Sequence, residues 1–401
     1  MFKILPSFYR SCLENQLQLA QLLQLEILVW MLQTFKEVRL ERLAALMPKP
    51  IKYESRRRAI QRFLVLPIVS VPALWFPIVK YLLRRQQRLF EAKYKSAKRR
   101  RIAKRKLKNY FFVAIDRTQW RDKNLFVVSV IWEKRAWPVA WVLLDKKGSS
   151  NLREQQQLLR PVLRLLKGYQ FVVIGDREFS SVGLACWLRQ QDVKFVFRIK
   201  QSTHIYLPAF NYQPLRELGL TPGTSLFLRS VEVTHQSGYG TFNLAAYWQR
   251  GYRKHHQTEG WYLLTNLPCL TSAVTAYKAR FGIEAMFKDC KSGGYNLEGS
   301  HANEARLLAL VLLIALAYTC ATFLGRTLKN AGVQHYIARL TELTRTQRRH
   351  SSFWVGLYGT VWVAGLEFFA DLAECFRRVS PHKLPYFQKG LRVMALIQSS
   401  V

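Results

Sequence analysis

Acidic side chains are scarce in this chain. Asp and Glu number 25 against 62 Lys and Arg, a formal net charge of +37 over 401 residues. That balance calls for a polyanionic partner, with nucleic acid first and an anionic membrane surface second. Paired cysteines are missing too. Cys12, Cys186, Cys269, Cys290, Cys320 and Cys375 are scattered and form no C-x-x-C pair. This argues against a disulfide framework or a zinc site and reads as buried thiols in a reducing cytosol. There is no internal repeat and no low-complexity tract, and the opening MFKILPSFYRSCLENQ lacks the uninterrupted apolar core of a secretion signal. Two stretches imitate membrane spans. Residues 64–83 are interrupted by Pro67, Pro72, Pro77 and Lys80, whereas residues 307–324 are apolar and directly follow an amphipathic segment. The second is about long enough to cross a bilayer, but as a lone candidate it is expected to be a buried core helix. A soluble cytoplasmic protein without membrane contact is the expectation.

What the sequence does have is largely apolar and basic. Hydrophobic residues make up 49%, ample for a core, and the length predicts two or three structural units. Residues 1–105 read as a helical, basic N-terminal region for DNA binding. Within it, residues 17–32 are Leu/Gln-rich without Gly or Pro, which suits an amphipathic helix. The run LERLAALMPKPIKYESRRRAIQRFL reads as a short helix, a turn at Pro48 and Pro50, and a second helix carrying Arg56, Arg57, Arg58 and Arg62. Helix, turn and basic helix suit docking on DNA; a helical hairpin with surface arginines has the same pattern. Residues 84–109 are strongly cationic, either a solvated linker or a contact to the phosphate backbone.

From Tyr110 the pattern changes. YFFVAID, LFVVSVIW, WPVAWVLLD, FVVIGD and KFVFRIK are β-branched and aromatic runs, with helical stretches at 151–167 and 180–191 among them. Pro161 predicts a kink or break in the first of these helices. The order predicts an α/β fold with a mixed sheet. SLFLRSVEVTH, GTFNLAAYWQ and GWYLLTNLP predict an all-β segment inserted over 201–268, ahead of long helices at 272–291 and 303–329. The α/β domain is therefore placed at 106–345. Residues 346–401 form an aromatic, basic, helical C-terminal tail and a candidate dimer contact.

With acids so few, an Asp closing an apolar strand is informative. Asp116 follows YFFVAI and Asp176 follows FVVIG. If those strands are neighbours, about 4.8 Å apart, the two carboxylates lie close together. Two like charges so placed are costly unless they hold a cation, which points to a divalent metal. Glu284, from a helix packed on the sheet, supplies a third carboxylate. Carboxylates holding two Mg²⁺ ions, with Mn²⁺ as a substitute, form the apparatus for in-line displacement at phosphate. Each Asp alone also fits an ordinary strand-end turn, and Asp145, before Lys146, Lys147 and Gly148, reads as just that. Glu178 is a candidate supporting carboxylate or substitute ligand.

Tyr277, Arg280, Glu284 and Lys291 lie at offsets −7, −4, 0 and +7 from the glutamate. At about 100° per residue they share one stripe of a helix, with Lys288 beside them. The stripe reads either as a solvated face of paired charges or as a metal-binding carboxylate among phosphate-binding groups.

These residues resemble the DDE transposases of the bacterial insertion sequence four family, whose hallmark is the spacing Y-x2-R-x3-E-x6-K. Tyr277, Arg280, Glu284 and Lys291 match it in full; AIDRTQW around Asp116 and IGDREFSSVG around Asp176 resemble its two aspartate blocks. The resemblance covers roughly residues 105–330. It implies a ribonuclease-H-like core with Asp116, Asp176 and Glu284 as the metal-binding catalytic triad. It also implies Mg²⁺-dependent hydrolysis that frees the 3′ ends of the element, then attack of those ends on target DNA. The Tyr, Arg and Lys roles at phosphates near the cleaved end would fall to Tyr277, Arg280 and Lys291. GWYLLTN also resembles the family's insertion, where a tryptophan stacks on a flipped base. That role falls on Trp261, for which a buried strand aromatic is an equal reading.

The expectation is therefore a cut-and-paste transposase, bacterial and nucleoid-associated. It would act on double-stranded DNA (terminal inverted repeats and target) as a homodimer in a synaptic complex. A DNA-binding repressor or inactive copy would need the basic helices but not all three carboxylates. A membrane-associated protein would need a true span at 307–324. Another ribonuclease-H-like nuclease would not need the full Y-R-E-K spacing.

Overall fold

The structure, a computed structural model, describes residues 5–94, 96, 102, 107–132, 135–209, 211–234, 240–251, 259–341 and 349–399. In chain order the first helices are α1 (Ser7–Glu14), α2 (Leu19–Phe35), α3 (Leu40–Leu46), α4 (Tyr53–Leu64) and α5 (Phe76–Lys93). Then come β1 (Phe111–Trp120), β2 (Lys123–Trp132), β3 (Arg135–Leu143), α6 (Leu152–Leu165), β4 (Phe171–Gly175), α7 (Val182–Gln190) and β5 (Lys194–Arg198). The strands β6 (His204–Leu207), β7 (Asn211–Pro214), β8 (Ser225–Val233), β9 (Gly240–Tyr247) and β10 (Trp261–Thr265) follow. The chain ends in α8 (Leu270–Ala279), α9 (Phe281–Cys290), α10 (Glu304–Asn330), α11 (Ser352–Phe368), α12 (Ala370–Val379) and α13 (Leu384–Ser399). This is a mixed α/β chain. It divides into two compact units, one of residues 1–78 with 288–401 and one of residues 79–287.

The second unit is built on one sheet of ten strands in the order β3-β2-β1-β4-β5-β10-β9-β8-β6-β7. β1 pairs antiparallel with β2 and parallel with β4, and β4 pairs parallel with β5. The strands of the expected insertion do not stand apart. β10 pairs antiparallel with β5, so β6 to β10 prolong the same sheet. The central strands are apolar on both faces, as VVI in β4 and FVF in β5 require of a covered sheet. α8 packs on β4, β5, β9 and β10, and α6 on β2 and β3.

Two local expectations change. α6 runs through Pro161 without a break. The proline removes one backbone donor, but burial of Leu158, Leu159 and Val162 and a reciprocal Asn151–Glu154 cap hold the helix. The helix expected over 272–291 is two helices, with Arg280 at the joint. There the Arg280 N–H bonds Tyr277 O, and the Ile283 N–H bonds Arg280 O, three residues back in each case.

The first unit is helical. Its centre is α10, which packs against α2, α4 and α11. The N-terminal helices share this core with the C-terminal ones. Tyr9 Oη donates to Thr319 Oγ1 at 2.7 Å, and Gln33 Nε2 donates to Ala317 O at 3.2 Å. Among the described residues α10 is the one unbroken helix long and apolar enough to cross a membrane, and 89% of its most apolar window is buried within the fold. Residues 307–324 are thus a core helix. The cysteines only partly follow expectation: Cys290 and Cys320 are buried, but Cys269 and Cys375 are exposed, and none is disulfide-bonded. Most of residues 95–106, the centre of the cationic run, lies outside the described residues.

Candidate active site

Parallel pairing of β1 with β4 sets the geometry. Its register runs from Phe111 beside Phe171 to Ile115 beside Gly175. Asp116 and Asp176 are the next residue on each chain, side by side beyond the carboxyl end of the parallel pair, where open α/β sheets place their sites. Asp116 does not end its strand as expected. β1 continues to Trp120 as a hairpin arm with β2, Asp116 lying opposite Val127. Asp176 does leave β4, opening a single 3-10 turn over Arg177–Phe179.

Arg280 draws the carboxylates together. Its Nη1 donates to Asp116 Oδ2 at 2.9 Å, and its Nη2 lies 3.5 Å from Asp176 Oδ2 and donates to Glu284 Oε1. The guanidinium is nearly inaccessible, at 6% side-chain exposure, while Glu284 is half exposed. Burial works against its charge, but Asp176, Tyr277, Asp116 and Glu284 outweigh that and hold its pKa above the usual arginine value. Asp116 Oδ1 accepts the Arg117 N–H at 2.8 Å. Burial, helped by Asp176 and Glu284 and opposed by Arg280 and that N–H, pushes the Asp116 carboxyl up to about 6. Tyr277 Oη donates to Asp176 Oδ1 at 3.1 Å, and burial beside that carboxylate lifts the phenol to about 12.

The donor set, oxygen-only carboxylates from β1, the end of β4 and α9, fits a hard divalent cation by type. By arrangement the carboxylates close on a guanidinium instead. Among the described residues no group of three or more His, Cys, Asp or Glu side chains stands ready to hold a metal ion. Arg280, expected at DNA phosphates, here supplies the positive charge the carboxylates need.

The remaining expected residues sit as follows. Glu178 is not among the groups around Arg280. Its Oε1 and Oε2 accept from Arg117 Nε at 3.0 and 3.1 Å, which fixes the residue next to Asp116. Trp261 takes the buried alternative: it is 6% exposed at the start of β10, edge-on to Tyr277 with ring centroids 4.9 Å apart and near Phe281 and Tyr247. Lys288 and Lys291 fall in the helical unit; Lys288 is exposed, and Lys291, just past α9, pairs with Glu298 at 2.6 Å. Arg56, Arg57 and Arg58 lie on α4, after a turn from α3. Arg56 donates to Met47 O at 3.4 Å, Arg57 is 3.7 Å from both Glu41 and Glu54, and Arg58 is exposed.

The sequence reading missed Arg117, Arg177, Arg198 and Glu259. Arg198 had a visible signal, a cation at the end of the apolar run KFVFR. Glu259 had none, because only the pairing of β10 with β5 explains its place.

A family model described as Transposase DDE domain matches residues 112–320, which include both aspartates, Tyr277, Arg280, Glu284 and Lys291. The chain belongs to this transposase family. No curated protein matches it. A solved piggyBac transposase synaptic complex with hairpin DNA is similar at 12% identity, over 90% of this chain and 77% of that one, with a TM-score of 0.35.

Proposed function

We propose that this transposase is a cut-and-paste enzyme of the insertion sequence four type, with a ribonuclease-H-like catalytic core. On this reading it hydrolyses DNA at the element's terminal inverted repeats and joins the freed 3′ ends to target DNA. The observation that carries the proposal is the convergence of Asp116, Asp176 and Glu284 on one buried cation at the carboxyl end of a parallel strand pair.

Asp116, Asp176 and Glu284 are the residues that would hold Mg²⁺, and Mn²⁺ in its place. Two such ions, when bound, supply activation of the attacking oxygen and stabilisation of the leaving oxygen. Arg280 gives its charge to the carboxylates before metal and DNA arrive, and a DNA phosphate offers it an alternative partner. Tyr277 holds the Asp176 carboxylate through its hydroxyl. Its raised pKa keeps that hydroxyl a donor across the physiological range. Glu178 pins Arg117 and so the backbone that carries Asp116.

Contacts to phosphates near the cleaved end fall to Tyr277, Arg280 and Lys291, with Lys288 beside them, and further DNA binding falls to the basic α4 with Arg56, Arg57 and Arg58. The chain's charge of +37 supports a large phosphate-contact component. A homodimer in a synaptic complex and a bacterial, nucleoid-associated location complete the reading.

The test is cleavage of a labelled duplex made from the inverted repeats flanking this gene, in Mg²⁺, by wild type and Glu284→Gln. Cutting at the repeat boundary by wild type alone supports the proposal. Binding by both proteins with cutting by neither transfers the function to a DNA-binding repressor.

A further inference from the structure

Glu259 is held by three donors next to the candidate metal site, and two of them are arginines. Arg198 Nη2 donates to Glu259 Oε1 at 2.6 Å, and Arg177 Nη2 donates to the same oxygen. Gln201 Nε2 donates to Oε2 at 3.2 Å. Arg198 also reaches toward Asp176, its Nη1 lying 4.0 Å from Oδ1. The parts come from separate places. Arg177 follows β4, Arg198 ends β5, Gln201 lies just beyond it, and Glu259 precedes β10.

One anionic oxygen between two guanidiniums is also how a non-bridging phosphate oxygen is held. We propose that Arg177 and Arg198 form a phosphate-binding site for the DNA backbone beside Asp176, and that Glu259 occupies it until DNA displaces it. This rests on the DNA-cleaving reading above. Arg198 is only 15% exposed at its side chain, and a guanidinium so enclosed needs an anion. In a chain with 25 acidic residues against 62 basic ones, Glu259 meets that need when DNA is absent. A phosphodiester carries the same single negative charge, so exchange leaves the charge of the site unchanged. The exchange lowers the apparent affinity for DNA by the fraction of time Glu259 is in place. Phosphate seated on Arg177 and Arg198 then lies against the Asp176 carboxylate.

The test uses the full chain with a fluorescent DNA duplex, read by anisotropy over a range of salt, and thermal melts in inorganic pyrophosphate. Glu259→Gln keeps the side chain's size and one acceptor oxygen but removes the competing charge. It is expected to bind the duplex roughly tenfold more tightly and to gain more thermal protection from pyrophosphate than wild type. Arg177→Ala, at a side chain 38% exposed, is expected to weaken binding and lower the slope of log affinity against log salt by about one. Unchanged affinity in the first variant and unchanged slope in the second, with both cooperatively folded, overturn the proposal while wild-type DNA cleavage still stands. If wild type binds no duplex yet Glu259→Gln gains pyrophosphate protection, the anion site survives and the DNA-cleaving reading falls.

Discussion

Arg280 and Asp116, 164 positions apart in the chain, meet at 2.9 Å. The contact joins the break between α8 and α9 to the middle of β1, and through the same guanidinium it gathers Asp176 and Glu284. Four charged groups from three separate stretches of the chain act as one cluster, so changes to any of them are expected to be strongly non-additive.

Asp116→Asn is expected to abolish cleavage of a labelled repeat duplex while leaving duplex binding within about threefold of wild type, because phosphate contacts elsewhere carry most of the affinity. Cleavage at a wild-type rate would remove Asp116 from the catalytic set.

Arg280→Ala leaves the largely buried Asp116 without its counter-cation, while Glu284 stays half in solvent and Asp176 keeps Arg198 at 4.0 Å. A loss of roughly 3 kcal/mol is expected in metal-free buffer, the low end of the cost of stranding a buried partner. Added Mg²⁺ should restore more stability to the variant than to wild type, since it binds the folded form where the guanidinium stood. Denaturant melts with and without Mg²⁺ measure both effects, and equal Mg²⁺ stabilisation of the two proteins would show that Arg280 and metal do not share the carboxylates.

Asp116, raised to about 6 chiefly by burial, predicts a pH dependence of defined sign. Between about 4 and 6 the folded chain holds a proton that the unfolded chain has already released. Its stabilising contribution is complete below the unfolded value and is lost as pH rises through about 6. Relative to Asp116→Asn, wild type should therefore weaken over that window, as denaturation midpoints across it would record.

Gly325 in α10 and Gly356 in α11 sit where the two helices touch backbone to backbone. A Cβ on Gly325 would run into the Ser352 carbonyl, and one on Gly356 into the Ala321 carbonyl. Alanine at either position is expected to destabilise by roughly 1–3 kcal/mol, the range for overpacking, whereas Gly365→Ala, with nothing near its Cβ position, should be neutral or slightly stabilising. A thermal melt of each variant separates these outcomes.

The sequence by itself determined the elements and the candidate chemistry. Short apolar runs such as FVVIG and the FVF of KFVFR suit interior strands, and residues that follow such strands fall at the end of a sheet by chain geometry. With acids so few, Asp116 and Asp176 stood out there without any structure, and the Tyr277–Lys291 spacing pointed to Glu284. Tertiary structure decided what local pattern cannot carry. It made β6 to β10 an extension of the sheet, because the pairing of β10 with β5 joins segments separated by more than sixty residues. It united the N-terminal helices with α10 and α11 through contacts such as Tyr9 to Thr319. It buried Trp261 against Tyr277, a choice between two equal readings that depends on which ring packs over β10. It also put Arg280 among the carboxylates and Glu259 between two arginines. Periodicity reports which face of an element is apolar; which distant charge meets which is fixed only when the elements pack, because Coulombic pairing depends on distance in space and not along the chain.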